Sequence, residues 1–77
     1  MSRPALPPTE RVAADLRARI EAGEWDHGEQ MPATREVADH YRVSSRTAAK
    51  AYRILADEGL VIVRPSWGTH RALPSRE

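Results

Sequence analysis

The stretch that decides the reading is Val43-Ser44-Ser45-Arg46-Thr47-Ala48-Ala49-Lys50-Ala51-Tyr52-Arg53-Ile54-Leu55-Ala56-Asp57-Glu58-Gly59. Hydroxyl residues suited to cap a helix open it, and Gly59 closes it where helices commonly exit through a left-handed residue. Ala48, Ala51, Tyr52 and Leu55 recur at i, i+3, i+4 and i+7, which is one face of an α-helix. At 100° per residue, Arg46, Lys50 and Arg53 fall roughly opposite that face, within about 60° of one another. One side can be buried while the other carries a cationic stripe. The expectation is a helix that lies against nucleic acid.

Working outward, the neighbouring segments supply what such a helix needs. Thr9 follows Pro8 and is placed to cap a first helix over about residues 9–22, with Val12, Leu16 and Ile20 forming its apolar stripe beside Ala13. Glu24 to Pro32 is turn-rich, with Trp25 and Met31 as apolar anchors and a very short strand expected at Gln30-Met31. A second, short helix is expected from about Thr34, with Val37, Ala38 and Tyr41 on its packed face. Arg42-Val43-Ser44 separates it from the next helix, as in a helix-turn-helix. After Gly59 the period changes. Leu60-Val61-Ile62-Val63 is a β-branched run of strand length, Pro65-Ser66-Trp67-Gly68 a turn, and Thr69-His70-Arg71-Ala72 a returning strand. The fold class read from this order is mainly α with a small β-hairpin: a winged helix-turn-helix, three helices plus a wing. Residues 1–8, with three prolines, read as a flexible lead, 9–72 as the domain and 73–77 as a tail.

Length and composition narrow the function. A chain of 77 residues makes one small domain, which buries only about 60% of its unfolded surface and has no room for a sizeable catalytic cavity. There is no cysteine, so neither a disulfide framework nor a cysteine zinc site is available. No apolar run approaches the ~20 residues of a membrane span, and a cytoplasmic location is expected. The net charge of +1 conceals an asymmetry: residues 1–41 carry −3 and residues 42–77 carry +4. The basic half holds the helix quoted above, and local basic surface is what attracts phosphate. His27, His40 and His70 lack ligand-like spacing, so no metal or other cofactor is expected. Asp57 and Glu58 are adjacent, point about 100° apart on a helix, and have no nucleophile or base beside them. No enzyme is read here.

At this point four stretches resemble the DNA-binding domain of the GntR family of bacterial transcription regulators. They are Ile20-Glu21-Ala22-Gly23-Glu24-Trp25-Asp26-His27-Gly28, Met31-Pro32-Ala33-Thr34-Arg35-Glu36-Val37-Ala38, Val43-Ser44 with Thr47 and Ala51-Tyr52-Arg53 through Leu55 to Glu58-Gly59-Leu60, and Gly68-Thr69. The Lys50-Ala51-Tyr52-Arg53 segment is most similar to the YtrA-like branch. The resemblance implies a winged helix-turn-helix whose second-helix arginine, here Arg35, approaches DNA. It also implies a phosphate contact from the cap Ser44, a role for Thr47 in the first turn, and a wing whose Gly68-Thr69 approaches the minor groove or backbone. Three positions depart from the family pattern. Ser45 stands where many members have arginine, with Arg46 next; Ala49 stands where many have a second arginine; and the wing has Ser66 for its first glycine and Trp67 for a basic residue.

An arginine at the front of a groove-inserted helix can bond guanine O6 and N7, worth about 1–3 kcal/mol of discrimination. Arg46 is read that way, the alternative being a phosphate contact, and the front of the helix at Ser45, Arg46 and Thr47 is expected to carry specificity. Lys50 and Arg53 are assigned to phosphate, or else to a solvated helix face, and Arg64 flanks the wing and is assigned to phosphate. Arg35 is assigned to DNA, with a surface pair to Asp39 as its alternative. Trp67 is expected to stack on sugar or lie across the minor groove, or to fold back as satellite core. Tyr41, Tyr52, Trp25, Val12, Leu16, Ile20, Leu55, Leu60 and Ile62 are the core candidates. The resulting expectation is a sequence-specific double-stranded DNA-binding transcription regulator, a repressor, placing a helix over about 45–58 in the major groove of a two-half-site operator as a homodimer. The alternatives are a protein-interaction winged helix and a DNA-bending recombination accessory factor. Most regulators resembling this one continue into an effector-binding domain. None is present in this sequence, and the Met1 start favours an independent small regulator.

Overall fold

The computed structural model describes residues 6–74. Its elements run α1 (Pro8–Glu21), α2 (Thr34–Tyr41), α3 (Ser45–Asp57), β1 (Val61–Arg64) and β2 (Gly68–Arg71). The predicted winged helix-turn-helix is the observed architecture. Of the expected lead and tail, residues 1–5 and 75–77 lie outside the described residues.

Each helix end has an identifiable cause. The start of α1 corrects the expected cap at Thr9: the helix begins at Pro8, with Pro7 at the cap position and no side-chain cap. Proline suits a first helical position because its φ is preset and its missing N–H would have no intrahelical partner. At the start of α2, Glu36 reaches back to accept the Ala33 N–H at 3.2 Å. At its end Arg42 adopts left-handed backbone angles (φ 56°, ψ 50°), and the Val43 N–H donates to the Ala38 carbonyl. A non-glycine residue in that region costs about 1–2 kcal/mol, so the tight turn between α2 and α3 is held by the packing on both sides of it. Ser44 caps α3: its Oγ accepts the Thr47 N–H at 3.0 Å and donates to Thr47 Oγ1 at 3.0 Å.

One core joins the three helices to the base of the wing. Val12, Leu16 and Ile20 of α1, Val37 and Ala38 of α2, and Ala48, Ala51, Tyr52 and Leu55 of α3 are buried together with Trp25, Met31 and Val61. The Tyr52 hydroxyl donates to the Pro32 carbonyl at 2.6 Å, and burial pushes its pKa far up. Tyr41 and Leu60 pack against this core half-buried. Ile62 is a correction. It is 40% exposed while Val61 is 3% exposed, because successive strand residues alternate faces and four consecutive apolar residues do not reveal which phase is inward.

The wing is antiparallel, with Val61 opposite Arg71, Ile62 opposite His70, Val63 opposite Thr69 and Arg64 opposite Gly68. The returning strand therefore begins one residue earlier than expected, at Gly68. The expected strand at Gln30-Met31 is reduced to a single bridge from Gln30 to His70. The Met31 N–H donates to the Thr69 carbonyl, and the Arg71 N–H to the Glu29 carbonyl. The loop after α1 thus becomes a third rail for the wing. An exposed two-residue ion pair, Arg17 with Glu58, ties α1 to the end of α3 through bonds of 2.8 and 2.7 Å.

Candidate nucleic-acid interface

The outward face of α3 is what remains after its apolar face is used. Ala48, Ala51, Tyr52 and Leu55 are consumed by the core, and Arg46, Lys50 and Arg53 are left exposed. The ion pairs among the described residues are Arg17 with Glu58 and Arg19 with Glu24, so none of the three α3 cations is neutralised by a neighbour. Together with Ala49, Ala56 and Asp57 they line one side of an open trough whose other side is Val63 and Pro65 of the wing. The pattern of the helix predicted the cations. It did not predict the trough, in which the small Ala49 leaves room between helix and wing.

The turn ahead of α3 adds two more groups. Ser44 and Ser45 are exposed at the helix N-terminus, where free backbone N–H groups favour an anion. Thr47 is half-buried and locked to Ser44, so its side chain first stabilises the cap. Arg35 is exposed in the first turn of α2, and no ion pair with Asp39 is present among the described residues. Arg42 had no assigned role in the sequence. Its left-handed geometry puts an exposed arginine at the corner between the two helices, and nothing in the local pattern marks a non-glycine residue for that conformation.

At the wing tip the Arg64 carbonyl accepts the Trp67 N–H at 3.1 Å, with Pro65 between them presetting its own φ. Gly68 completes the turn at φ 87°, a region that a side chain would strain. Trp67 is 66% exposed, so it does not fold back as core. The Arg64 guanidinium lies over its ring, 5.2 Å from the centroid. Thr69 behaves differently from its expected role. It is only 4% exposed, and its carbonyl is taken by Met31, so its side chain belongs to the wing's inner face and not to the accessible surface.

Behind this surface, Arg19 of α1 is committed to its neighbours. Arg19 donates to the Tyr41 hydroxyl at 2.9 Å and pairs with Glu24, while its guanidinium covers Trp25 at 4.8 Å from the ring centroid. Tyr41 in turn donates to Asp15. Burial, reinforced by the Asp15 bond, raises the Tyr41 pKa. The local charge is therefore set by pairing as well as by composition: Arg17 and Arg19 of α1 have acidic partners, and Arg46, Lys50 and Arg53 of α3 have none among the described residues.

The family model for bacterial regulatory proteins of the gntR family matches residues 8–70 of this chain. The chain belongs to the GntR family. It is 41% identical over 61 residues to the Exu regulon transcriptional regulator of Escherichia coli strain K12, an alignment that covers 79% of this chain and 24% of that protein. It thus spans about a quarter of the length of that relative. Among solved structures, the DNA-binding domain of AraR in complex with operator ORE1 superposes with a TM-score of 0.87 at 26% identity, covering 94% of this chain and 88% of that one. A GntR family transcriptional regulator from Listeria monocytogenes shares the fold at a TM-score of 0.84 and 18% identity. The family places the chain among transcription regulators, and the fold is the GntR DNA-binding winged helix.

Proposed function

We propose that this domain binds double-stranded DNA sequence-specifically, with α3 in the major groove and the wing across the adjoining backbone, and that it acts as a repressor by occupying a two-half-site operator as a homodimer in the cytoplasm. The observation that carries the reading is the row of unpaired cations Arg46, Lys50 and Arg53 along the solvent face of α3, sharing one trough with the wing. A helix of this diameter fits the major groove, about 12 Å wide, where base edges are distinguishable. In this reading Ser45 and Arg46 meet base edges at the front of the helix. Ser44, Lys50, Arg53 and Arg35 meet phosphate, and Thr47 holds the cap in the geometry that allows both. Arg64, Trp67 and Gly68 form the contacting edge of the wing, which Thr69 supports from inside. The AraR complexes with operators ORE1 and ORX1 support the choice of duplex DNA as partner.

The test is selection of bound duplexes from a random pool, followed by titration of the selected site at several salt concentrations. A single domain making about six phosphate contacts gives a slope of log affinity against log salt near −5. Two half-sites about 34 Å apart are expected for a dimer. An exposed tryptophan at a hairpin tip also suits a protein partner. No enriched site and no low-salt binding in the selection leaves that second reading standing in place of the first.

A further inference from the structure

The corner between α2 and α3 holds a residue that its backbone does not favour. All four glycines adopt positive φ, and Arg42, at φ 56°, is the one other residue that does so among the described residues. The chain leaves α1 through Gly23 and α3 through Gly59, at φ 86° and 78°, whereas it leaves α2 through an arginine. The hydrogen bonding there is that of an ordinary helix exit: the Arg42 and Val43 N–H groups both donate to the Ala38 carbonyl, a closure for which glycine is the usual residue. Arginine therefore holds the place at a loss of stability. Its side chain is exposed and has no ion pair among the described residues, while Tyr41 and Val43 on either side pack against the core. Strain that the fold holds in place without using the side chain internally is a mark of a binding surface.

Resting on the docking proposed above, we infer that Arg42 grips the DNA phosphate next to the one met by Ser44, and so fixes where α3 enters the groove. Arg42 precedes the Ser44 cap by two residues, which keeps their Cα atoms within about 7 Å of each other. Ser44 and Ser45 are exposed at the N-terminus of α3, the end proposed to meet DNA first. The corner lies outside the inserted helix, so what comes within reach of its side chain is the strand bordering the groove and not a base edge. The planar guanidinium suits two oxygens of one phosphate. The rigid corner matters as much as the charge, because a backbone already fixed between two packed neighbours has little freedom left to lose on binding. Base preference stays with Ser45 and Arg46, since a phosphate contact positions the helix without reading sequence.

The experiment measures folding stability and DNA affinity on the same variants. Arg42→Gly and Arg42→Asn relieve the backbone and are expected to raise the folding constant roughly threefold, read as a higher urea midpoint. The same variants are expected to bind the selected duplex roughly tenfold more weakly. Their salt slope becomes shallower by about 0.9 per bound domain, and other sequences weaken by the same factor, so base preference is unchanged. Arg42→Lys keeps the charge, and with it the slope, at the wild-type urea midpoint. A scan with single uncharged methylphosphonate linkages locates the contact. At the linkage next to the one that Ser44→Ala no longer senses, wild type loses roughly tenfold and Arg42→Gly is indifferent. A purely structural role for Arg42 cannot make a more stable variant bind more weakly. Wild-type affinity and slope in Arg42→Gly, or a scan with no linkage at which the two proteins differ, overturns the inference and leaves α3 docking standing, with Arg46→Ala still changing preference at one base. A wild-type domain without salt-dependent duplex binding overturns the docking and the inference together.

Discussion

The two tryptophans of this chain sit in the same kind of pair and do opposite things. Trp25 is 7% exposed and has Arg19 over its ring; Trp67 is 66% exposed and has Arg64 over its ring. Arg19 is further bound by Glu24 and Tyr41, so its charge is spent inside the fold. Among the described residues, the Arg64 guanidinium has only the indole. An identical contact is thus part of the scaffold where acids surround it and part of an accessible surface where they are missing. What separates the regions is the company of the arginine, not the aromatic pair itself.

The sharpest way to break the comparison is to truncate both rings. Trp25→Ala removes a buried aromatic and is expected to cost about 3–5 kcal/mol of stability, read as a fall in the urea midpoint. Trp67→Ala is expected to change stability by less than about 0.5 kcal/mol, since its surface is already in water. Comparable losses at the two positions sink the distinction drawn here. Next in size is Arg46→Ala, which removes one of the unpaired front-face cations. It should cost about 1–3 kcal/mol of discrimination at one base position while leaving the urea midpoint unchanged. Ser44→Ala follows. Loss of the α3 cap should lower stability by about 1 kcal/mol, visible by circular dichroism on heating.

The smallest effect belongs to the exposed Arg17–Glu58 pair. The hydrogen bond from Arg17 holds the Glu58 carboxyl below its ordinary pKa, and the same bond raises Arg17. A depressed carboxylate contributes stability that is fully present above its unfolded pKa and is lost as pH falls through its depressed folded value. Glu58→Gln should therefore narrow the gap to wild type as the solution is acidified, and a constant gap across that acid range counts against the pair. Solvent screening keeps the effect small.

Most of the helical part was legible before the fold was known. The Val12, Leu16 and Ile20 stripe and the Ala48, Ala51, Tyr52 and Leu55 face are buried as spaced, because a 3.6-residue period allows one inward orientation for each. The hairpin was legible as a hairpin but not in phase. Leu60 to Val63 is apolar throughout, so alternation gives no signal, and the sequence predicts Ile62 as core where the fold buries Val61. The sequence predicts the Thr9 hydroxyl as the cap of α1, although a proline at the first helical position starts the helix without one.

The chain by itself determined which face of each helix is apolar, where the turn between α2 and α3 falls, and that its cations gather in the second half. These are local properties, set by periodicity and by residue type. The tertiary structure decided what those residues face. Packing the wing against the loop after α1 buried Thr69 and bound its carbonyl to Met31, and it left Arg64 and Trp67 outside. It also brought Val63 and Pro65 opposite Arg46, Lys50 and Arg53 across one trough. Such meetings join residues ten or more positions apart, and only the folding of one element onto another can specify them.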